Sequence, residues 1–316
     1  MDFPIDIKNK IELMAENYKI SDLISSANKL SESYLNNDNK NNSFLTSNID
    51  VISYAIMRMP ATFGALSFSL SNLLDKIEQN ITSILDVGSG TGSSILASNL
   101  LIKNDHQITC LERENIMMDF SKQLFNDPKI AYKKCDFVKE DPKLTADLVI
   151  ASYFINEVAT DELDNVINRL LEATNKYLLI VEPGTPVSFA RMRKIREFFI
   201  DKGLNIVAPC PHNNKCPISS DDWCHFSTRV SRSRLHKQLK QADVPYEDEK
   251  FIYLAISKVP TNSSEPRVLR HPLIQNGLIK LKLCNKNGEI IDKIITKKDK
   301  EQFKIARKIK VGEEFL

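Results

Sequence analysis

The sequence contains no run of eighteen apolar residues, which leaves no stretch that reads as a membrane-spanning helix. Its start, MDFPIDIKNKIELMAENY, lacks the apolar core of a secretory signal. Asp2, Asp6, Glu12 and Glu16 argue against an arginine-rich transit peptide. These absences predict a cytoplasmic protein with no membrane partner, ahead of a mitochondrial matrix one. No internal repeat is visible. Net charge is also nearly absent: 43 Lys and Arg stand against 41 Asp and Glu. The average therefore says little about partners, and only the distribution of charge can inform. Cysteine and tryptophan are scarce, at six and one residues. Yet half of the cysteines and the only tryptophan fall in one stretch, APCPHNNKCPISSDDWCHF, residues 208–226. In a reducing compartment, clustered cysteines are metal ligands sooner than disulfides.

With 316 residues, 42% of them hydrophobic, the chain is long enough for one large domain with appendages, or for two domains. Residues 5–35 carry Ile11, Met14, Leu23, Ile24 and Leu30 at roughly three-to-four-residue spacing, and 49–78 look helical again. This predicts an N-terminal helical region over 1–79, broken by a polar loop, NNDNKNNS, at 36–43. From residue 82 the pattern changes. Short apolar or alternating runs at 83–87, 107–112, 129–136, 146–154 and 176–184 alternate with helical patterns at 95–102, 117–125 and 161–174. Strands alternating with helices predict an α/β class, with a doubly wound, Rossmann-like parallel sheet covered on both faces. A helix at about 187–201, a cysteine-rich loop at 205–230, a basic helical stretch at 231–243 and a strand at 251–259 would complete a domain over 80–260. A small basic β/α segment is expected over 261–316. It has strands at 277–284 and 289–295 around NKNG, and a helix at about 299–310.

DVGSGTGSS, residues 86–94, falls between a predicted strand and a predicted helix. Gly88, Gly90 and Gly92 would let the backbone turn sharply and approach a ligand, with helix amides just beyond. Asp86 ends the strand. Glu112, at the tip of the next strand, suits ribose hydroxyls, because a carboxylate can accept from both. Asp136, beside Phe137, can hold an adenine ring. At these residues the chain resembles the class I S-adenosylmethionine-dependent methyltransferases, with ILDVGSGTG matching their first motif. The resemblance covers about 80–200 and implies S-adenosylmethionine at the carboxyl ends of the strands. A nicotinamide-binding Rossmann fold, or a glycine turn with no ligand, is the lesser alternative.

Cys210, Cys216 and Cys224 are soft, charged donors when ionised, and three of them do not close a tetrahedral site. His212, His225 and a distant cysteine are candidates for the fourth place. Cys284 ends a predicted strand in LKLC and could pin the C-terminal segment to the loop, whereas Cys110 reads as core and Cys135 as a weaker candidate. The string APCPHNNKCP…WCHFSTRV resembles the methyltransferase-like assembly factors of the small ribosomal subunit, known in mitochondria and bacteria. SYAIMRMPATFGAL (53–66), VEPGTP (181–186), RHPLIQNGLIKLKLC (270–284) and FKIARKIKVGE (303–313) support the likeness. It implies a metal-bearing C-terminal extension in which Cys210, Cys216, Cys224 and Cys284 hold a [4Fe-4S] cluster. Four thiolates would equally accept a structural zinc. It also implies service in small-subunit assembly on 16S-type ribosomal RNA; a monomer is expected.

Positive charge is concentrated locally. Arg191, Arg193, Lys194 and Arg196 open one helix, and Arg229, Arg232, Arg234, Lys237 and Lys240 follow the cysteine loop. Lys297, Lys298, Arg307 and Lys308 belong to a basic tail. Such density in a nearly neutral chain predicts a polyanion, with RNA phosphates as the natural ligand. We expect RNA contacts at Arg229, Arg232, Arg234, Lys237, Lys297, Lys298, Arg307 and Lys308. After the fourth strand, where amino-methyltransferases of nucleic acids carry Asn/Asp-Pro-Pro-aromatic, the chain reads SYFINEV with no proline. A cofactor site is therefore expected without a recognisable catalytic one. The alternatives are a catalytically active rRNA methyltransferase and, less favoured, a zinc-bearing methyltransferase of proteins or small molecules.

Overall fold

A computed structural model gives the structure and describes residues 2–35, 45–77, 80–219, 221–262 and 264–315. The polar loop expected at 36–43 lies outside the described residues. The chain forms two compact units. The first comprises Met1–Ser71, Asn80–Glu182 and Thr228–Glu249; the second comprises Asn72–Gln79, Pro183–Ser227 and Lys250–Leu316. The N-terminal helices thus share a unit with the parallel sheet. The cysteine loop shares a unit with the C-terminal segment.

In the first unit, the helical pattern over 5–35 is two helices, α1 (Ile5–Ala15) and α2 (Ile20–Leu35). The Glu16 amide closes α1 by bonding back to the carbonyls of Glu12 and Leu13. Ile7, Ile11 and Ala15 recur every four residues and are the buried stripe of α1. The helix α3 (Asn48–Leu74) contains Pro60 and is long and apolar enough to cross a membrane by composition, but 78% of its most apolar window is buried inside the protein. Its first turn is fixed by Asp50, whose carboxylate accepts from the hydroxyls of Ser26 and Ser47, both at 2.8 Å.

The sheet of this unit is built from β1 (Ser83–Val87), β2 (Gln107–Glu112), β3 (Ile130–Lys134), β4 (Ala146–Ser152) and β5 (Thr174–Pro183). Their order is β3-β2-β1-β4-β5, and all neighbouring pairs are parallel. Leu85 of β1 faces Thr109 on one side and Val149 on the other. Helices α4 (Ser93–Leu101), α5 (Asn115–Leu124) and α6 (Leu163–Ala173) supply the crossovers. The nearly continuous burial of β1 and β4 is what a strand covered on both faces requires. In α6 the buried Leu163, Val166, Ile167, Leu170 and Ala173 recur at three- and four-residue steps. This is the expected Rossmann-like α/β sheet. Because β1 lies between β2 and β4, the strand order reverses there, and ligands of such sheets bind outside the carboxyl ends of these strands.

The remaining elements are α7 (Pro186–Asp201), β6 (Asn205–Ala208), β7 (Phe226–Ser231), α8 (Arg234–Leu239), β8 (Tyr246–Ser257), β9 (Arg267–Val268), β10 (Leu273–Gln275), β11 (Leu278–Cys284), β12 (Ile290–Thr296) and α9 (Lys300–Ala306). In the second unit β6 runs antiparallel to β8. A small antiparallel sheet, β10-β11-β12 with β9 on β11, buries Ile279, Leu281, Leu283 and Ile295 against Val268, Ala306, Ile309 and Phe315. Two expectations change. The basic stretch 231–243 is helical only over Arg234–Leu239: Ser233 caps that turn by accepting from the His236 amide, and Gln241 ends it with φ 49°. The strand expected at 251–259 starts at Tyr246. Its first half, YEDEK, alternates exposure and so reads as polar loop.

Candidate functional site

In the first unit a cavity opens at the carboxyl ends of β1, β2 and β4. Gly88 turns the chain at φ +71°, and a Cβ there would stand 2.8 Å from the Phe154 ring. The amides of Gly88 and Ser89 donate to the Leu111 carbonyl at 2.9 and 3.0 Å, which clips the loop to β2. Glu112 continues the clip: its carboxylate accepts from the Gly90 amide at 2.8 Å and the Glu114 amide at 2.9 Å. Asp86 is 1% exposed and accepts from the Ser94 hydroxyl. Burial pushes its pKa up to about 7 against that hydrogen bond, with the Glu112 charge acting in the same direction as burial. Burial likewise raises Glu112, opposed by the amides it accepts from. Asp136 accepts from the Val138 amide and pairs with Lys139 at 3.3 Å.

Asp86, Gly88, Gly90, Glu112 and Asp136 all line this cavity. Gly92 is not on the lining. A Cβ there would be 2.6 Å from the Phe125 ring and 2.7 Å from Ser121 Oγ, so its smallness seats α4 against α5.

The opposite wall was not foreseen. Tyr153, at φ +57°, turns the chain out of β4. Its hydroxyl donates to Glu249 at 2.7 Å. Arg58 grips the same carboxylate at 3.1 and 3.3 Å, and its guanidinium lies 5.9 Å from the centre of the Tyr153 ring. The following 3-10 turn, Ile155–Glu157, is held by buried Glu182, which accepts from the amides of Ile155 and Asn156 at 2.7 and 2.9 Å. Glu157 lines the cavity, and burial pushes it up to about 7, while Arg113 at 3.7 Å works the other way. Ser152 Oγ is buried on the same lining with no hydrogen-bond partner. The sequence signal was SYFINEV, read only for the prolines it lacks.

In the second unit, Cys210 and Cys216 follow β6, Cys224 precedes β7, and Cys284 ends β11. The fold brings all four to the lining of one cavity. Arg196 Nε donates to Cys210 Sγ at 3.3 Å. His212 Nε2 lies 3.4 Å from Cys284 Sγ, and its Nδ1 lies 3.1 Å from the Asn214 carbonyl. His225 is not on the lining; it stacks on Trp223 at 5.2 Å, and the indole donates to the Gly184 carbonyl. Burial raises the thiols of Cys216, Cys224 and Cys284, reinforced by neighbouring thiols, and Cys284 is pushed up to about 12. Among the described residues, no three His, Cys, Asp or Glu side chains converge closely enough to hold a single metal ion. Cys110 is buried in β2, and Cys135 lines the other cavity.

Some of the expected RNA contacts are engaged within the protein. Arg229 pairs with Asp248 at 2.8 Å and stacks 3.9 Å from the Tyr246 ring centre. Arg232 and Lys240 share Glu247. These acids belong to the polar first half of β8. Arg234 is exposed and Lys237 half-buried; Lys297, Lys298, Arg307 and Lys308 are exposed. Arg196, expected on a basic surface, is 3% exposed.

Comparison with known proteins follows the same pattern. Residues 48–316 match the family model of the mitochondrial small ribosomal subunit protein Rsm22. The Rsm22-cox11 tandem protein 2, mitochondrial, of Schizosaccharomyces pombe is 23% identical over 84% of this chain and 43% of its own length. The human ribosome assembly protein METTL17, mitochondrial, is 22% identical over 67% of this chain and 50% of its own. The chain therefore spans half or less of the length of these relatives. Among solved structures, a putative RNA methyltransferase from Pyrococcus horikoshii covers 63% of this chain and 81% of its own, with 16% identity and a TM-score of 0.40. The match over 48–316 takes in the glycine loop, the cysteine loop and the tail together, and the chain belongs to the mitochondrial small ribosomal subunit Rsm22 family.

Proposed function

We infer that the chain is a small-subunit ribosome assembly factor. In this reading it holds S-adenosylmethionine in the first-unit cavity and an inorganic centre, a [4Fe-4S] cluster, among Cys210, Cys216, Cys224 and Cys284. The observation that carries the reading is that four cysteines, one of them 60 residues beyond Cys224, line a single cavity. Assembly is taken from the family and from the human relative, which is named as a ribosome assembly protein. Both relatives are named as mitochondrial, which favours the mitochondrial alternative over the cytoplasmic expectation. Small-subunit rRNA is the partner we assign to the exposed Lys297, Lys298, Arg307 and Lys308, with the protein acting as a monomer.

The residues suit both groups. S-adenosylmethionine carries a sulfonium, and the cavity offers the carboxylates of Asp86, Glu112 and Glu157. Although Glu112 is tied to two amides, a carboxylate has about four acceptor sites and can still take ribose hydroxyls. A single tetrahedral zinc, with Zn–S near 2.3 Å, would draw four sulfurs to within about 4 Å of one another. A [4Fe-4S] cluster accepts the same four thiolates, and the preference for it comes from the resemblance of the cysteine string to the assembly-factor family. Methyl transfer to rRNA draws no support from the turn after β4, where Tyr153 is committed to Glu249 and the next backbone amides to Glu182.

The test is Cys216→Ser, purified without oxygen. Loss of the centre, with faster proteolysis of the second unit than of the first, is the expected result. Unchanged metal content together with an unchanged protease pattern would refute the ligand assignment.

A further inference from the structure

Two arginines are buried around the cysteine cavity, and neither is accounted for by packing alone. Arg196, on α7, is 3% exposed and Arg267, on β9, is 1% exposed; both line the cavity. Arg196 donates through Nε to Cys210 Sγ at 3.3 Å and through Nη2 to the His212 carbonyl at 2.8 Å. The same Nη2 lies 3.4 Å from His212 Nδ1, and His212 Nε2 lies 3.4 Å from Cys284 Sγ. One guanidinium therefore touches one cysteine directly and holds the backbone of the histidine whose ring meets a second. Its Nη1 is buried with no partner. Arg267 holds Glu314 at 3.2 Å and Asn72 at 3.0 Å, yet its Nε is also buried and unpartnered.

Burying an arginine without full pairing costs several kcal/mol. Arg267 has the Glu314 carboxylate as its counter-charge, but Arg196 beside four protonated thiols has no local charge to offset it. Beside four thiolates the balance reverses. A [4Fe-4S] core of charge +2 held by four thiolates carries a net charge of about −2, as does zinc held by four thiolates. The unpaired Arg196 guanidinium offsets part of it, and its open Nη1–H can donate to sulfur, the kind of outer contact that tunes such centres.

We propose that Arg196 is the charge-balancing residue of the sulfur centre, and that it positions Cys210 directly. The inference rests on the reading of the four cysteines as holders of an inorganic centre. It adds a residue from outside the cysteine loop, and a positive charge that lowers the net charge the cavity must carry.

The experiment uses the full chain, purified without oxygen, as wild type, Arg196→Met and Arg196→Lys. Arg267 is avoided because it also anchors Glu314 and the Gly312 carbonyl. Each protein is assayed for metal content, for the rate of metal release to a chelator and, where iron is present, for the midpoint potential. Arg196→Met is expected to release its metal about ten- to a hundredfold faster, with a midpoint more negative than wild type. Arg196→Lys keeps the charge and is expected to recover most of both. A thermal melt monitors folding. If Arg196→Met melts early, the comparison of Arg196→Lys with wild type still reads the midpoint at constant charge, and a shift as large as that expected for loss of the charge overturns the proposal. Equal release rates and midpoints in all three proteins overturn it while leaving the centre in place. A wild-type chain free of iron, sulfide and zinc overturns both the proposal and the reading beneath it.

Discussion

Asp86 and Glu157 line one cavity, and burial holds each of them near neutrality, at about 7. A cationic ligand favours their ionised forms, so binding expels protons that are still bound below that pH. Affinity for S-adenosylmethionine is therefore expected to tighten as pH rises from about 6 to 8, and Asp86→Asn should both weaken and flatten the profile. Calorimetry across that range checks it; an affinity independent of pH would contradict the assignment. Gly92 makes a second test at this scale. It combines φ +90° with a Cβ position 2.6 Å from Phe125, whereas Gly203, at φ +77°, has open space around its Cβ position. Gly203→Ala should cost only the conformational penalty, about 1–2 kcal/mol, and Gly92→Ala clearly more; chemical denaturation compares the two. The sequence made Asp86, Gly88, Gly90, Glu112 and Asp136 legible, because spacing within a motif survives without coordinates. It hid Tyr153 and Glu249, which lie 96 residues apart and meet only through the fold.

Among the elements, α8 carries an acid-sensitive contact. His236 is 1% exposed, both ring nitrogens lack hydrogen bonds, and Nε2 stands 3.9 Å from Glu247. Burial drives its pKa down to about 4, opposed by Glu247 and reinforced by Lys240, Arg232 and Arg58. The unfolded chain takes up this proton below about 6.5, and the folded chain only near 4. Stability is thus full above 6.5 and is lost as pH falls through this window. His236→Phe should remove most of the slope in unfolding free energy between pH 7 and 5; an unchanged slope would contradict it. The helix α6 offers a simpler test: Leu170 is 0% exposed, and Leu170→Ala should cost about 2–5 kcal/mol in a denaturant melt. Periodicity revealed α6 and the five parallel strands, because burial on one stripe or on both faces writes itself into the sequence. It failed for β7 and for the start of β8, whose opposed charges, Arg229 with Asp248 and Arg232 with Glu247, look like surface until they are paired.

At the scale of the whole molecule, the chain combines a cavity built by a short, recognisable motif with a cavity assembled from distant segments. The first was readable as chemistry from residues 86–94 alone. The second needed the fold, since nothing local to LKLC tells whether Cys284 joins the loop or simply fills a core. If the exposed basic residues of the tail grip RNA, affinity should fall steeply with salt. Replacing Lys297, Lys298, Arg307 and Lys308 together should lower the slope of log K against log [salt] by about 3–4. A slope equal to that of the wild type would remove the tail from the interface.

The central claim is that the four cysteines hold one inorganic centre. An absorption spectrum with iron, sulfide and zinc analysis of the chain purified without oxygen, beside Cys284→Ser, tests it most directly. About four iron and four sulfide per chain, with broad visible absorption that Cys284→Ser abolishes, is the expected result. A wild-type chain carrying none of these elements, or a Cys284→Ser chain that retains them in full, would contradict it.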